Sequence, residues 1–178
     1  MVMNHDTQPG QTCETPIAPF FKSLAYAMIL LRTRGLPCVF YGDVYGILGD
    51  EPEPPACNGR LPTLIFARKL FAYGEQRDYM DSPICVGWTR LGTWDRTDGC
   101  AVLMSVWQPG RKKMFVGLDK AGQAWCDILG NWREDIVIDR KGFGDFECAE
   151  RTVSVFVNIS ASRKAGFPPA FSRDIYNM

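Results

Sequence analysis

Pro37-Cys38-Val39-Phe40-Tyr41-Gly42-Asp43-Val44-Tyr45-Gly46 reads as a short strand closed by a glycine-bounded turn. A brief apolar run without alternation is the pattern of a strand covered on both faces, as in a parallel sheet. Upstream, Pro16 and Pro19 announce a helix start, because proline suits the first turn. Phe21, Leu24, Ala25, Met28 and Leu31 then recur at helical spacing. Arg32 and Arg34 suit the negative end of that helix's dipole, and Gly35 suits the left-handed residue after it. Further upstream, residues 2–4 read as a strand end leading into a polar loop at 6–15. Downstream, the loop Glu51-Pro52-Glu53-Pro54-Pro55 precedes a second helix at 61–73, with Leu61, Leu64, Ile65, Arg68 and Phe71 on its period and Gly74 ending it. Strand, loop, helix, strand, loop, helix is an α/β order with a parallel sheet. The polar loops follow the strands, where a (β/α)8 barrel gathers its active-site loops.

The pattern changes after about residue 75. Strands are expected near 84–91, 100–107, 112–118, 123–129, 135–139, 144–149 and 152–159. Thr97-Asp98-Gly99, Pro109-Gly110, Lys120-Ala121-Gly122, Gly130-Asn131 and Lys141-Gly142 separate them. Short strands at this regular spacing predict an antiparallel sandwich or barrel. Val153, Val155 and Val157 alternate with Ser154, Phe156 and Asn158, which predicts a last strand with one core face. The expected division is an α/β part at 1–75, an all-β part at 76–159 and a tail at 160–178 that is mobile or docks on the rest.

The 178 residues carry 20 basic and 20 acidic side chains, a balance that argues against a general electrostatic grip on nucleic acid. The apolar run at 24–31 is far short of the roughly 20 residues a membrane span needs. The N-terminal residues show neither the basic nor the apolar region of a secretory signal. Seven cysteines, none closer than 15 positions to the next, and the single His5 make a zinc site of ordinary spacing improbable. They read as reduced, mostly buried thiols of a cytosol-like compartment. Asn158-Ile159-Ser160 is a glycosylation triplet that matters only in a secretory pathway.

Several groups could carry chemistry. Asn4-His5-Asp6 follows a strand end, where a barrel places carboxylates for catalysis, and the imidazole could bond a substrate hydroxyl. The same three residue types are also ordinary turn formers and caps. Tyr41-Gly42-Asp43-Val44-Tyr45-Gly46 offers tyrosine faces suited to sugar rings, or a purely structural loop with Asp43 bonding locally. Trp88, Trp94, Trp107, Trp125 and Trp132 lie in the β-rich half, as core or as a carbohydrate-binding face. Arg111-Lys112-Lys113 reads as a solvated hairpin tip, and nothing makes Glu51 and Glu53 a catalytic pair.

Asn4-His5-Asp6-Thr7-Gln8-Pro9-Gly10-Gln11 resembles the fourth signature region of the α-amylase family of glycoside hydrolases. Phe21-Lys22-Ser23-Leu24-Ala25-Tyr26-Ala27 and Pro37 to Gly46 resemble the last barrel helix and strand of liquefying-type members. Val86-Gly87-Trp88-Thr89-Arg90, Trp125-Cys126-Asp127-Ile128 and Gly130-Asn131 continue the likeness into the family's C-terminal β-domain. The cysteine content and lack of a signal suggest the intracellular, fungal-like branch. The resemblance implies the last two βα units of a (β/α)8 TIM barrel followed by an antiparallel Greek-key β-sandwich. It implies hydrolysis of internal α-1,4 bonds with retention, which needs two carboxyl groups about 5–5.5 Å apart. In the family these two come from barrel strands four and five, which are expected upstream of the residues here. Asp6 matches the third carboxylate, which stabilises the transition state, and His5 matches an imidazole that binds the same sugar.

The implied partners are α-glucans (starch, glycogen, maltooligosaccharides) and a missing N-terminal barrel portion, with no nucleic acid and no membrane. The implied location is cytoplasmic, and the isolated part is expected to be inactive. Calcium is implied for the intact enzyme, with ligands mostly outside this chain. Met3 stands where the family often has Asp, and Asp81-Ser82-Pro83-Ile84-Cys85 lacks the ligands of a junction metal site, so no metal is expected within the chain. The alternatives are a non-catalytic glucan-binding or vestigial protein, and a 4-α-glucanotransferase of the same family.

Overall fold

The computed structural model describes residues 1–167. Helices α1 (Pro19–Leu31), α2 (Tyr41–Tyr45) and α3 (Leu61–Phe71) come first. Strands β1 (Gln76–Tyr79), β2 (Cys85–Arg90), β3 (Cys100–Ser105), β4 (Gly110–Phe115), β5 (Ala124–Asp127), β6 (Ile136–Val137), β7 (Phe143–Cys148) and β8 (Thr152–Asn158) follow, and then α4 (Ile159–Ala165). Six strands form one sheet in the order β1-β2-β3-β8-β5-β6, and β4 pairs with β7 in a second. Every strand pair is antiparallel. The expected strands in the second half are all present. The polar β1 is an addition that periodicity does not reveal, since its charged residues are those of an edge strand.

The large sheet is buried on both faces. Val102, Met104, Val153, Val155 and Val157 face α1 and α3, in one core with Leu24, Ala27, Leu30, Leu31, Leu61, Leu64, Ala67 and Phe71. Ala101, Leu103, Trp125 and Phe156 face the small sheet, in a second core with Met114, Val116, Phe146 and Cys148. The last strand therefore has two core faces, against the single face its alternation suggests. The helices cover the Val153, Val155 and Val157 face that an isolated sandwich would leave to water, and Ser154 is buried on the other face, beside Leu103 and toward the small sheet.

Residues 2–4 and 37–41 form no strand. A parallel strand exists only through hydrogen bonds to its neighbours, and no strand lies beside either segment among the described residues. The chain stays extended at Phe40 (φ −78°, ψ 135°) and turns at once into the short α2. Cys38 is exposed, as is Cys13; Cys57, Cys85, Cys100 and Cys148 are buried, and all seven cysteines are free thiols.

Side chains from the β half hold the end of α1. The carbonyl of Leu31 accepts from Trp88 Nε1 at 3.3 Å and from Arg90 Nη1 at 3.2 Å, and that of Leu30 accepts from Arg68. These are carbonyls that the helix itself leaves unpaired. Arg32 is not in the last turn. It leaves the helix in extended backbone and pairs with Asp78 at 3.0 Å. Arg90 also reaches the carbonyl of Gly74 at 3.1 Å. A side chain on Gly74 would meet the backbone oxygen of Gly92 at 1.7 Å, so this crossing admits only glycine. Of the predicted tail, residues 159–165 form α4, capped by Asn158 Oδ1, which accepts from the N–H groups of Ser160 (2.8 Å) and Ala161 (3.2 Å). The rest of the tail, 168–178, lies outside the described residues.

Candidate functional site

The segment that begins at Met3 is anchored before it reaches its polar residues. Met3 is 2% exposed. Asn4 then builds the turn: its Oδ1 accepts from the N–H groups of Asp6 (2.9 Å) and Thr7 (3.0 Å), while its own N–H donates to Thr7 Oγ1 at 3.0 Å. Asn4 thus orders the loop, and the two residues after it are pushed outward. His5 Nε2 lies 3.3 Å from Asp6 Oδ1, and their side chains are 81% and 65% exposed. The imidazole and the carboxylate are neighbours on an open face. Both can offer hydrogen bonds to a polyhydroxylated ligand, and neither is enclosed by the residues present.

The second predicted segment is tied to the first through Lys22, on the first turns of α1. Lys22 Nζ lies 3.1 Å from Asp43 Oδ1, 2.7 Å from Glu53 Oε2 and 3.7 Å from Met3 Sδ. Tyr26, one helical turn on, donates its hydroxyl to Asp43 Oδ2. Asp43 is 1% exposed. Burial by itself would lower the Lys22 pKa, but the Glu53 and Asp43 carboxylates outweigh it and hold the ammonium above its usual value. Burial, and after it Asp43, pushes the Tyr26 hydroxyl well up. Asp43 is therefore a structural carboxylate beneath the loops. The tyrosines beside it differ: the Tyr41 and Tyr45 rings lie 4.5 Å apart, and Tyr41 is largely exposed. Gly10 approaches the Glu51 carboxyl, so the loop after residue 6 and the proline-rich loop meet on one side.

Sequence reasoning missed Lys22 and Tyr26. A signal was available, since the two lie one turn apart with Leu30 continuing the row, polar tips on an otherwise apolar stripe. Glu53 was left without a role, and it serves Lys22. Arg111-Lys112-Lys113 is not a hairpin tip, although Arg111 and Lys113 are solvated as expected. It lies on β4, where Arg111 approaches Glu147 (3.6 Å) and Asp145 (3.7 Å), Lys113 pairs with Asp139 (3.0 Å), and Lys112 pairs with Asp81. Trp88 and Trp125 are fully buried, whereas Trp94 and Trp107 are exposed. Among the described residues no three His, Cys, Asp or Glu side chains converge on a metal-sized point. The buried carboxylate Asp43 and its neighbour Glu53 close on the Lys22 ammonium instead.

Residues 104–157 match the family model for the α-amylase C-terminal domain. The chain is 46% identical over 158 residues to an α-amylase of Bacillus licheniformis, covering 88% of this chain and 31% of that enzyme. It is 43% identical to the cytoplasmic α-amylase of Escherichia coli (strain K12), again over 88% of this chain and 33% of that one. It is 44% identical to the glucan 1,4-α-maltohexaosidase of Bacillus sp. (strain 707), covering 30% of its length. The chain thus spans about a third of the length of these relatives. Among solved structures, a γ-cyclodextrin glucanotransferase from alkalophilic Bacillus clarkii superposes with a TM-score of 0.56 at 17% identity, over 88% of this chain and 25% of that one, a likeness of fold. Over 88% of its length the chain is thus similar to α-amylases, and with residues 104–157 it carries the α-amylase family's C-terminal domain.

Proposed function

We propose that the chain is the C-terminal third of an enzyme that hydrolyses internal α-1,4 bonds of starch or glycogen with retention. In this reading residues 2–4 and 37–41 are the last two strands of a (β/α)8 barrel. Their neighbours come from polypeptide corresponding to the other two thirds of the relatives. The observation that carries it is the 46% identity over 158 residues, together with the open His5–Asp6 pair beside α1. A second feature supports it. Phe21, Leu24, Ala25 and Met28 of α1, with Val86 and Met104 of the sheet, line an open apolar groove of about 600 Å³. A large exposed apolar patch is the mark of a surface meant to be covered.

In the completed enzyme, Asp6 accepts hydrogen bonds from two adjacent hydroxyls of the sugar whose bond is cut. Those bonds tighten as the ring flattens toward the oxocarbenium-like transition state, which is where binding energy raises the rate. His5 donates to the same sugar and steadies the carboxylate at its side. The nucleophile and the acid/base belong to the remaining part of the barrel, so the chain alone does no hydrolysis. Hydrolysis is preferred to glucan transfer because the relatives at 42–46% identity are named as α-amylases and a maltohexaosidase. A cytoplasmic location follows the E. coli relative.

The test is complementation. The purified chain is assayed for reducing-sugar release from soluble starch, alone and co-expressed with the N-terminal two thirds of the B. licheniformis enzyme. No turnover alone, turnover together, and loss of at least about a hundredfold in kcat with Asp6→Asn are expected. Turnover by the chain alone, or an Asp6→Asn pair as active as the unmodified one, overturns the proposal.

A further inference from the structure

We infer that Cys85 and Cys148 form an oxidisable dithiol that closes as a disulfide between the two sheets of the sandwich. Cys85 opens β2 in the large sheet, and Cys148 ends β7 in the small one. Both point into the core between the sheets. Gly110 stands between them: the position its Cβ would occupy is 2.5 Å from Cys85 Sγ and 3.1 Å from Cys148 Sγ. The two sulfurs are therefore no farther apart than those distances laid end to end. Only a glycine leaves the space between them empty. Gly110 pairs directly with Cys148 across β4–β7, which holds that sulfur at a fixed place beside the gap. Closing a disulfide from here needs side-chain rotation of the kind its narrow geometry allows.

Burial works against the thiolate at both sulfurs, and a backbone donor beside each one offsets part of that cost. The N–H of Gly110 bonds Cys148 and the N–H of Arg111 bonds Cys85. Burial holds both thiols above their ordinary value, Cys148 at about 12, and the Lys112 ammonium offsets only part of the rise at Cys85. Cys85 keeps a small exposure of 9%, and Cys148 has none. Cys85 is thus the sulfur that meets an outside reagent, and Cys148 the one that resolves. With glutathione disulfide as oxidant, the Cys85 thiolate attacks one sulfur, the oxidant's S–S bond breaks and one glutathione thiolate leaves. The Cys148 thiolate then attacks Cys85 Sγ, the mixed disulfide breaks and the second glutathione leaves. The protein loses two electrons and two protons, which end on two molecules of glutathione.

The test uses the full chain with Cys13→Ser and Cys38→Ser, since those exposed thiols would otherwise react first. Folded protein is incubated with glutathione disulfide, alkylated in denaturant and mapped by mass spectrometry. The unsubstituted chain, mapped the same way, serves should the double variant fail to fold. Expected are a Cys85–Cys148 cross-linked peptide, its loss on dithiothreitol, and a thermal midpoint several degrees higher than that of the reduced chain. In Cys148→Ser the reaction should stop with glutathione on Cys85. Alkylated Cys85 and Cys148 after exhaustive oxidation, or a cross-link that forms only when the oxidation itself is run in denaturant, overturns the inference.

Discussion

The helical half and the sandwich half are equally recognisable as sequence, yet only one forms all of its expected strands. Each strand of the sandwich finds its partner within the chain: Leu103 faces Ser154, Gly110 faces Cys148, and Trp88 faces Val102. The segments at 2–4 and 37–41 carry the same kind of apolar signal and remain unpaired. The lesson is that hydrophobic pattern specifies a willingness to be a strand, and the neighbour specifies the strand. The helices escape this limit because their hydrogen bonds are local. They need only a surface to cover, and the large sheet supplies it.

If that contrast is right, the helical half depends on the sheet, and the most damaging change is at their contact. Trp88→Ala removes a fully buried ring and a donor to the end of α1, and should cost about 3–5 kcal/mol in denaturant unfolding of the whole chain. Loss of α1 and α3 helicity ahead of the sheet would sharpen the comparison. Retention of helicity after the sheet unfolds would break it.

Next is the polar anchor that joins the two unpaired segments. Asp43→Ala leaves Lys22 buried with only the partly exposed Glu53, and should cost about 3 kcal/mol. The fold holds the Lys22 ammonium above its ordinary value of 10.5 despite burial, through Glu53 and Asp43. Its contribution is therefore complete below that pH and fades as the pH rises through the higher, folded value. The alkaline arm of a stability–pH curve should flatten in Asp43→Ala. An unchanged arm would mean that the anchor does not hold the segments together.

Smaller still, Asn158→Ala removes the two bonds that start α4 and should cost about 1 kcal/mol, read by thermal unfolding. A glycan on Asn158 would disturb the same amide, so the triplet there is better understood as a helix cap. Least of all, Asp6→Ala should change the stability of the isolated chain by under about 0.5 kcal/mol, because its carboxylate is exposed and meets only His5. A large loss would give Asp6 a structural role and weaken its assignment to substrate.

The local shape of the first loop was legible in advance. The spacing of Asn4, His5 and Asp6 named the loop, and the turn built by Asn4 Oδ1 is ordinary chemistry for that residue. Asp43 could be read as ligand or as support, and the choice needed Lys22 and Tyr26 in place above it. Both come from a helix more than ten positions away in sequence, and no local pattern announces such a meeting. The tryptophans divide in the same way: Trp88 and Trp94 are six positions apart, one wholly buried and the other 93% exposed. Period-two alternation places Trp88 on a face but does not say whether that face is covered.

From its residues alone this chain declared two helices, seven of the eight strands among the described residues, the loop that holds His5 and Asp6, and its likeness to a family. Those are properties of short stretches, set by periodicity, turn chemistry and propensity. Which strands found partners, that the large sheet is buried twice over, and that Asp43 supports while Asp6 presents, were decided only by tertiary structure. Burial and pairing are relations between segments distant along the chain, and their free energy exists only once those segments meet.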